Sequence, residues 1–165
     1  MRIGQRDFRT KGHAYVMGIL NITPDSFSDG GKYNDLDQAL YHVEQMITDG
    51  MDIVDVGGES TRPGYTQISV QEEIDRVVPV IEMIKSRFNV PISLDTYKSE
   101  VAKAGISAGV DMINDIWGLK YDENMAQVIA ESGLPCCLAH NRKEPKYKNL
   151  IEEMLWDLES SLELA

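Results

Sequence analysis

The chain has 165 residues, 42% hydrophobic and 26% charged, a size and balance that suit a single domain over residues 1–165 with a sizeable core. Sixteen Lys and Arg against 27 Asp and Glu leave a net charge of −11, which argues against nucleic acid or an anionic membrane as partner, since both bind basic surface. No apolar run approaches the ~18 residues of a membrane span, and the N-terminal MRIGQRDFRTKGH has no apolar segment of signal-peptide type, so the expected location is cytoplasmic. Cys136 and Cys137 are adjacent and provide neither a disulfide framework nor zinc-ligand spacing.

The first strand is predicted over YVMGIL, Tyr15 to Leu20, and is followed at once by NITPDSFSDGG, Asn21 to Gly31. That stretch is too polar and glycine-rich to build core, and too long for a simple turn. A helix then opens near Asp35, where Gln38 completes a capping-box pattern, and places Leu36, Leu40, Val43 and Ile47 on one face. Gly50 is its natural stop. The second strand, DIVDV from Asp52 to Val56, leads into GGESTRPG, Gly57 to Gly64. There the glycines permit close backbone approach, and Ser60, Thr61 and Arg62 offer donors suited to phosphate oxygens. An anion site and a plain structural loop both fit it. Ser69 and Glu72 form a second capping box ahead of a helix carrying Ile74, Val77, Val78, Ile81 and Ile84, which Pro79 should bend. Three more units follow: PISLD (91–95) with a weakly patterned helix from Lys98 to Ala108, DMIND (111–115) with a helix from Asp122 to Glu131 ending at Gly133, and PCCLAH (135–140) with a helix from Leu150 to Leu164. The two cysteines are expected to fill core space on opposite faces of the last strand. His13 and His42 are expected on the surface.

Five successive βα units imply a parallel sheet with helices packed on it. An open doubly wound sheet and a (β/α)8 barrel begin alike, but the first βα turn has no G-x-G-x-x-G fingerprint and the chain has no P-loop lysine. Polar residues instead collect where strands end: Asn21, Asp55, Asp95, Asn114 with Asp115, and His140. A barrel builds its active site at those ends, although Asp and Asn also serve there as ordinary caps and turn formers.

Four motifs, NITPDSFSDGG, GGESTRPG, SLDTYK (93–98) and INDIWG (113–118), together and in this order resemble the dihydropteroate synthase family. The resemblance implies an α/β fold, here the first five βα units of a (β/α)8 TIM barrel and therefore incomplete. It implies a cytoplasmic transferase of folate biosynthesis and a sulfonamide target. Such an enzyme joins p-aminobenzoate to the pterin methyl carbon of a dihydropterin pyrophosphate and releases pyrophosphate with the assistance of Mg²⁺. In the family NITPDSFSDGG is a mobile loop that orders over the substrates. Carried over by resemblance, Asn21 would meet Mg²⁺ and the pyrophosphate, and Asp25 would be catalytic, facing the carbon where positive charge develops. Ser26 and Phe27 would border the aminobenzoate ring, Thr61 and Arg62 would serve the aminobenzoate and pyrophosphate, and Asp95 and Asn114 would hold the pterin edge.

Two departures are visible. Ala139 stands where many members have methionine, and a complete barrel runs to roughly 250 residues. The later strands of the family add pterin-binding Asp and Lys residues and an Arg and His pair for pyrophosphate. The chain is accordingly expected to be an N-terminal portion, inactive alone and prone to form a homo-oligomer through open strand edges. Two alternatives remain: a non-catalytic half-barrel that self-associates, and a pterin-binding methyltransferase relative, which would share the barrel and the Asp and Asn positions.

Overall fold

The structure, a computed structural model, describes residues 1–9, 11–23, 32–60 and 66–165. A short antiparallel hairpin, β1 (Arg2–Ile3) and β2 (Arg6–Asp7), precedes five parallel strands: β3 (Met17–Asn21), β4 (Ile53–Gly57), β5 (Ile92–Asp95), β6 (Met112–Asp115) and β7 (Cys136–Leu138). Between and after them lie α1 (Lys32–Thr48), α2 (Val70–Arg87), α3 (Ser99–Ala108), α4 (Met125–Ser132) and α5 (Leu150–Leu164). The strands lie in sequential order, β3-β4-β5-β6-β7. A doubly wound sheet would reverse its order part-way, so this is the wall of a barrel. Five of the eight βα units of a (β/α)8 barrel are thus formed by the described residues.

The helices cover one face of the sheet. Leu20, Val54, Val56, Ile92, Leu94 and Ile113 pack there with Leu40 and Val43 of α1, Val77, Ile81 and Ile84 of α2, Val101 of α3 and Met125 of α4. Each such side chain contributes ~1.5–3 kcal/mol by leaving water. The expected faces of α1 and α2 are the buried ones. Ser69 caps α2 by accepting from Glu72 N at 3.1 Å, but the Glu72 carboxylate pairs with Arg76 instead of returning to the cap. The helix continues unbroken through Pro79, although that residue has no N–H to offer the carbonyl of Asp75.

Three boundaries differ from expectation. Helix α1 begins at Lys32, upstream of Asp35, so Asp35 is not its cap. Helix α4 begins at Met125 with Asn124 as its N-cap, and Asp122 stands ahead of it, its carboxylate accepting Ser99 N at 2.8 Å and Asn124 N at 3.0 Å. Cys136 is half-buried against the helix-side core, whereas Cys137 on the opposite face is exposed, so only Cys136 fills core space. His13 and His42 are exposed as expected.

The second face of the sheet, the inner face of the barrel wall, is apolar at its lower end. Ile53 and Met112 form a small cluster with Ile3 and Phe8, so the unpredicted hairpin closes the N-terminal end of the strands. Its ends are zipped by Phe8 N to Met1 O at 2.7 Å and Met1 N to Phe8 O at 3.0 Å, and Arg6 donates to Asn89 O at 2.8 Å. Among the described residues no helix is long and apolar enough to cross a membrane. Phe8 is 6% exposed, and Phe8→Ala is expected to destabilise the chain by about 3 kcal/mol, read as a lowered midpoint of urea unfolding.

Candidate active site at the strand ends

Parallel pairing sets Asn21 beside Gly57, Gly57 beside Asp95, Asp95 beside Asn114 and Asn114 beside Cys137. Partners in register point to the same face of a sheet, so these residues form one row across the C-terminal ends, on the face the helices leave open. The row beneath runs Ile19, Asp55, Ser93, Met112. The polar mouth expected from sequence therefore exists, and it contains Asn21, Asp55, Asp95 and Asn114. Gly57 is its spacer: a Cβ there would lie 3.5 Å from both Asn21 Oδ1 and Asp95 Oδ2.

Two strand-end residues belong elsewhere. Asp115 points to the helix side, where its carboxylate accepts Trp117 N and Leu119 N at 2.8 Å each. It thereby holds Leu119 at a positive φ of 67°, a backbone conformation that costs roughly 1–2 kcal/mol. Asp115 is a turn former. His140 Nε2 meets Asp157 of α5 at 2.8 Å, and its role is to tie that helix to the end of β7. Asp25, Ser26, Phe27, Thr61 and Arg62 lie outside the described residues.

The mouth is crowded with negative charge. Asn114 donates Nδ2 to Asp55 Oδ2 at 3.1 Å, which leaves its own Oδ1 as an acceptor. Burial raises the Asp55 carboxyl, outweighing the lowering by Ser93 and Asn114. Asp55 Oδ1 and Ser93 Oγ are buried with no hydrogen bond of good geometry, although the hydroxyl still draws the carboxyl down. Burial, and then the charges of Asp55, Glu73 and Asp115, push Asp95 up to about 7. Burial and the charges of Asp55 and Asp95 also raise the Cys137 thiol, which keeps it a poor nucleophile. The row can thus present one carboxyl poised near neutrality beside an amide, an arrangement suited to a flat heterocycle with several N–H donors.

Sequence reasoning missed a second set of groups: Glu59, Glu73 and Lys98, all buried. Lys98 Nζ lies 2.7 Å from Glu59 Oε2 and 2.7 Å from Glu73 Oε2. A signal for Glu73 was present, because it falls in phase with Val77, Ile81 and Ile84 on the buried face of α2. Burial alone would lower the Lys98 ammonium, but its hydrogen bonds to Glu59 and Glu73 and their charges raise it.

The Asp95 shift has a defined consequence for stability. Its folded value, about 7, lies above the ordinary 3.8, so between these values the folded chain holds a proton that the unfolded chain has released. The contribution of this group is greatest in acid and falls as pH rises from about 4 through about 7. Asp95→Asn should therefore leave the melting temperature unchanged near about pH 4 and raise it at about pH 8. Carbon-13 titration should place the Asp95 midpoint near about 7, and Asp55→Asn should lower it. A midpoint in the ordinary carboxylate range would contradict this account.

The family model described as pterin binding enzyme matches residues 17–165. The dihydropteroate synthase of Clostridium beijerinckii is 56% identical over the whole chain, which spans 61% of that relative. The Bacillus subtilis dihydropteroate synthase is 56% identical over 94% of the chain, spanning 54% of the relative. Among solved structures, a Clostridium difficile dihydropteroate synthase determined in the presence of pteroic acid superposes with a TM-score of 0.93 at 46% identity, over 96% of this chain and 61% of that one. The Xanthomonas albilineans enzyme with 4-aminobenzoic acid gives 0.83 at 37% identity, over 93% and 57%. The strand-end row lies within the matched region, and the chain belongs to the pterin-binding enzyme family.

Proposed function

We propose that this chain supplies the first five βα units of a cytoplasmic dihydropteroate synthase and with them much of its substrate site. The observation that carries the reading is the row Asn21, Gly57, Asp95, Asn114 across the strand ends. Asp95 and Asn114 take the pterin edge. Pterin N–H donors favour the ionised carboxylate, so binding draws the proton from Asp95, and affinity rises with pH up to about 7. The aminobenzoate nitrogen attacks the pterin methylene carbon. The carbon–oxygen bond to pyrophosphate breaks, pyrophosphate leaves with the electron pair, and the amine loses a proton. Asp25 faces that carbon, where a fixed carboxylate stabilises charge that appears only in the transition state. Ser26 and Phe27 border the aminobenzoate, and Thr61 and Arg62 serve the aminobenzoate and the departing pyrophosphate.

The donor set fits Mg²⁺. Among the described residues no group of three or more His, Cys, Asp or Glu could hold a metal alone. Mg²⁺ usually takes one or two protein oxygens and completes its shell with water and substrate phosphates. Asn21 Oδ1, beside Gly57, is the oxygen offered. When bound there, the ion would offset charge on the leaving pyrophosphate.

In an enzyme of the relatives' full length, Asn114→Ala is expected to cost ~1–3 kcal/mol of binding, a ~10–100-fold weaker pterin affinity by calorimetry, with the fold intact. Unchanged affinity would remove Asn114 from the site. Asp25→Ala should lower kcat far more than it changes KM, and normal turnover would defeat its assignment. The 165 residues purified alone are expected to give no detectable turnover and to sediment as a homo-oligomer, since β3 and β7 pair on one side only among the described residues. A well-behaved monomer, or steady consumption of p-aminobenzoate, would count against this.

A further inference from the structure

Glu59, Glu73 and Lys98 form a buried hub beside the strand ends, and the substrate reading above gives none of them a part. The hydrogen bonds of the hub are saturated. The Lys98 ammonium has three N–H groups, and they go to Glu59 Oε2 at 2.7 Å, Glu73 Oε2 at 2.7 Å and Ile68 O at 2.9 Å. The other carboxylate oxygens are also taken: Glu59 Oε1 by the Tyr97 hydroxyl and Glu73 Oε1 by the Thr96 hydroxyl at 2.8 Å. Ile68 N donates to Glu59 Oε2 at 2.9 Å.

Two carboxylates and one ammonium out of water are an expensive way to fill space, and well-packed apolar side chains usually stabilise as well or better. Apolar packing is non-directional, however, whereas hydrogen bonds fix direction. The hub joins particular places. Glu59 follows Gly57 at the end of β4, Thr96, Tyr97 and Lys98 follow Asp95 at the end of β5, and Glu73 lies in the first turn of α2. Gly58 lets α2 approach, since a Cβ there would meet Val77 Cγ1 at 2.8 Å and Glu73 Cγ at 3.1 Å, and Arg76 donates to Gly58 O at 2.8 Å.

We propose that Lys98 is a positioning residue: by drawing Glu59 and Glu73 onto one ammonium it locks the turn after β4 against the turn after β5, and so sets the seat of Asp95 for the pterin. The second half of this statement rests on the pterin reading; the first half does not.

The test uses an enzyme of the relatives' full length carrying Lys98→Met, Lys98→Arg, or the triple Glu59→Gln, Glu73→Gln, Lys98→Met. The triple removes all three charges and leaves none unpaired, so it remains informative if Lys98→Met alone does not fold. Calorimetry with unsubstituted pterin and hydrogen exchange of the Ile68 amide are the two readouts. The triple should fold, exchange the Ile68 amide at least ~10-fold faster and bind pterin ~10-fold more weakly or worse, and Lys98→Arg should recover part of the affinity. A folded triple with native pterin affinity would overturn the proposal by making the hub a stabiliser only. A triple that does not fold would overturn it too, by making the hub a requirement of the fold. If the unsubstituted full-length enzyme fails to bind pterin, the functional reading is what fails, and unchanged Ile68 exchange in the triple would then overturn the hub independently.

Discussion

Parallel register is the constraint on which the site depends. Side chains alternate between the two faces of a strand, so a slip of one residue would exchange Asp95 with Leu94 and Asn114 with Ile113. Either exchange would put an amide or a carboxyl into the helix-side core and an aliphatic side chain into the mouth. The apolar residues opposite forbid it: Leu94 and Ile113 are fully buried, and each would lose its burial. The hydrophobic face thus sets the polar row without touching it. Gly57 completes the geometry by contributing no side chain between Asn21 and Asp95.

That row collects acceptors and negative charge in a chain already acidic overall. Burial first, and then the charge of Asp55 on the same face, raise the cost of ionising Asp95, as a nearby carboxylate generally does. A neutral, donor-rich heterocycle relieves such crowding, whereas a pyrophosphate adds to it. Lys98, beside the mouth, has all three ammonium donors committed to Glu59, Glu73 and Ile68. On the proposed reading, the two halves of the substrate therefore need different partners. There the strand-end acceptors would meet the pterin, and Arg62 and Mg²⁺ would meet the pyrophosphate.

Much of the fold was legible because it rests on local chemistry. Ser69 capping α2, the glycines after α1 and α4, and the periodic faces of α1 and α2 follow from hydrogen-bonding and burial rules that act within a few residues. So does the position of Asn21, Asp95 and Asn114, since a strand end is visible where an apolar run stops. Long-range partnership was not legible. Nothing local distinguishes Asn114, which faces the mouth, from Asp115, which folds back onto Trp117 and Leu119. Asp122 was expected to begin its own helix, but it lies ahead of α4 and its carboxylate accepts the first amide of α3, Ser99 N. Lys98 stands in the sequence only as the end of SLDTYK and the start of a helix, and nothing there shows that Glu59 and Glu73, distant in sequence, surround it. The β1–β2 hairpin was missed because two-residue strands carry no period to read.

Helix α5 shows the opposite relation between pattern and surroundings. Its apolar residues recur at helical spacing, yet Ile151, Leu155 and Leu162 are 63%, 57% and 69% exposed. The helix is held by polar ties instead: His140 and Arg142 to Asp157, and Arg142 to Glu153. Exposed apolar residues recur at the other edge of the sheet, where Met17 and Ile19 of β3 face outward from the core. In an eight-unit barrel, the inner face of the first strand and the flank of the fifth helix both pack against further elements. A stripe with the period of a buried face is selected by burial, not by solvent. The positions where pattern and exposure disagree are therefore those that further βα units would cover in a closed eight-unit barrel.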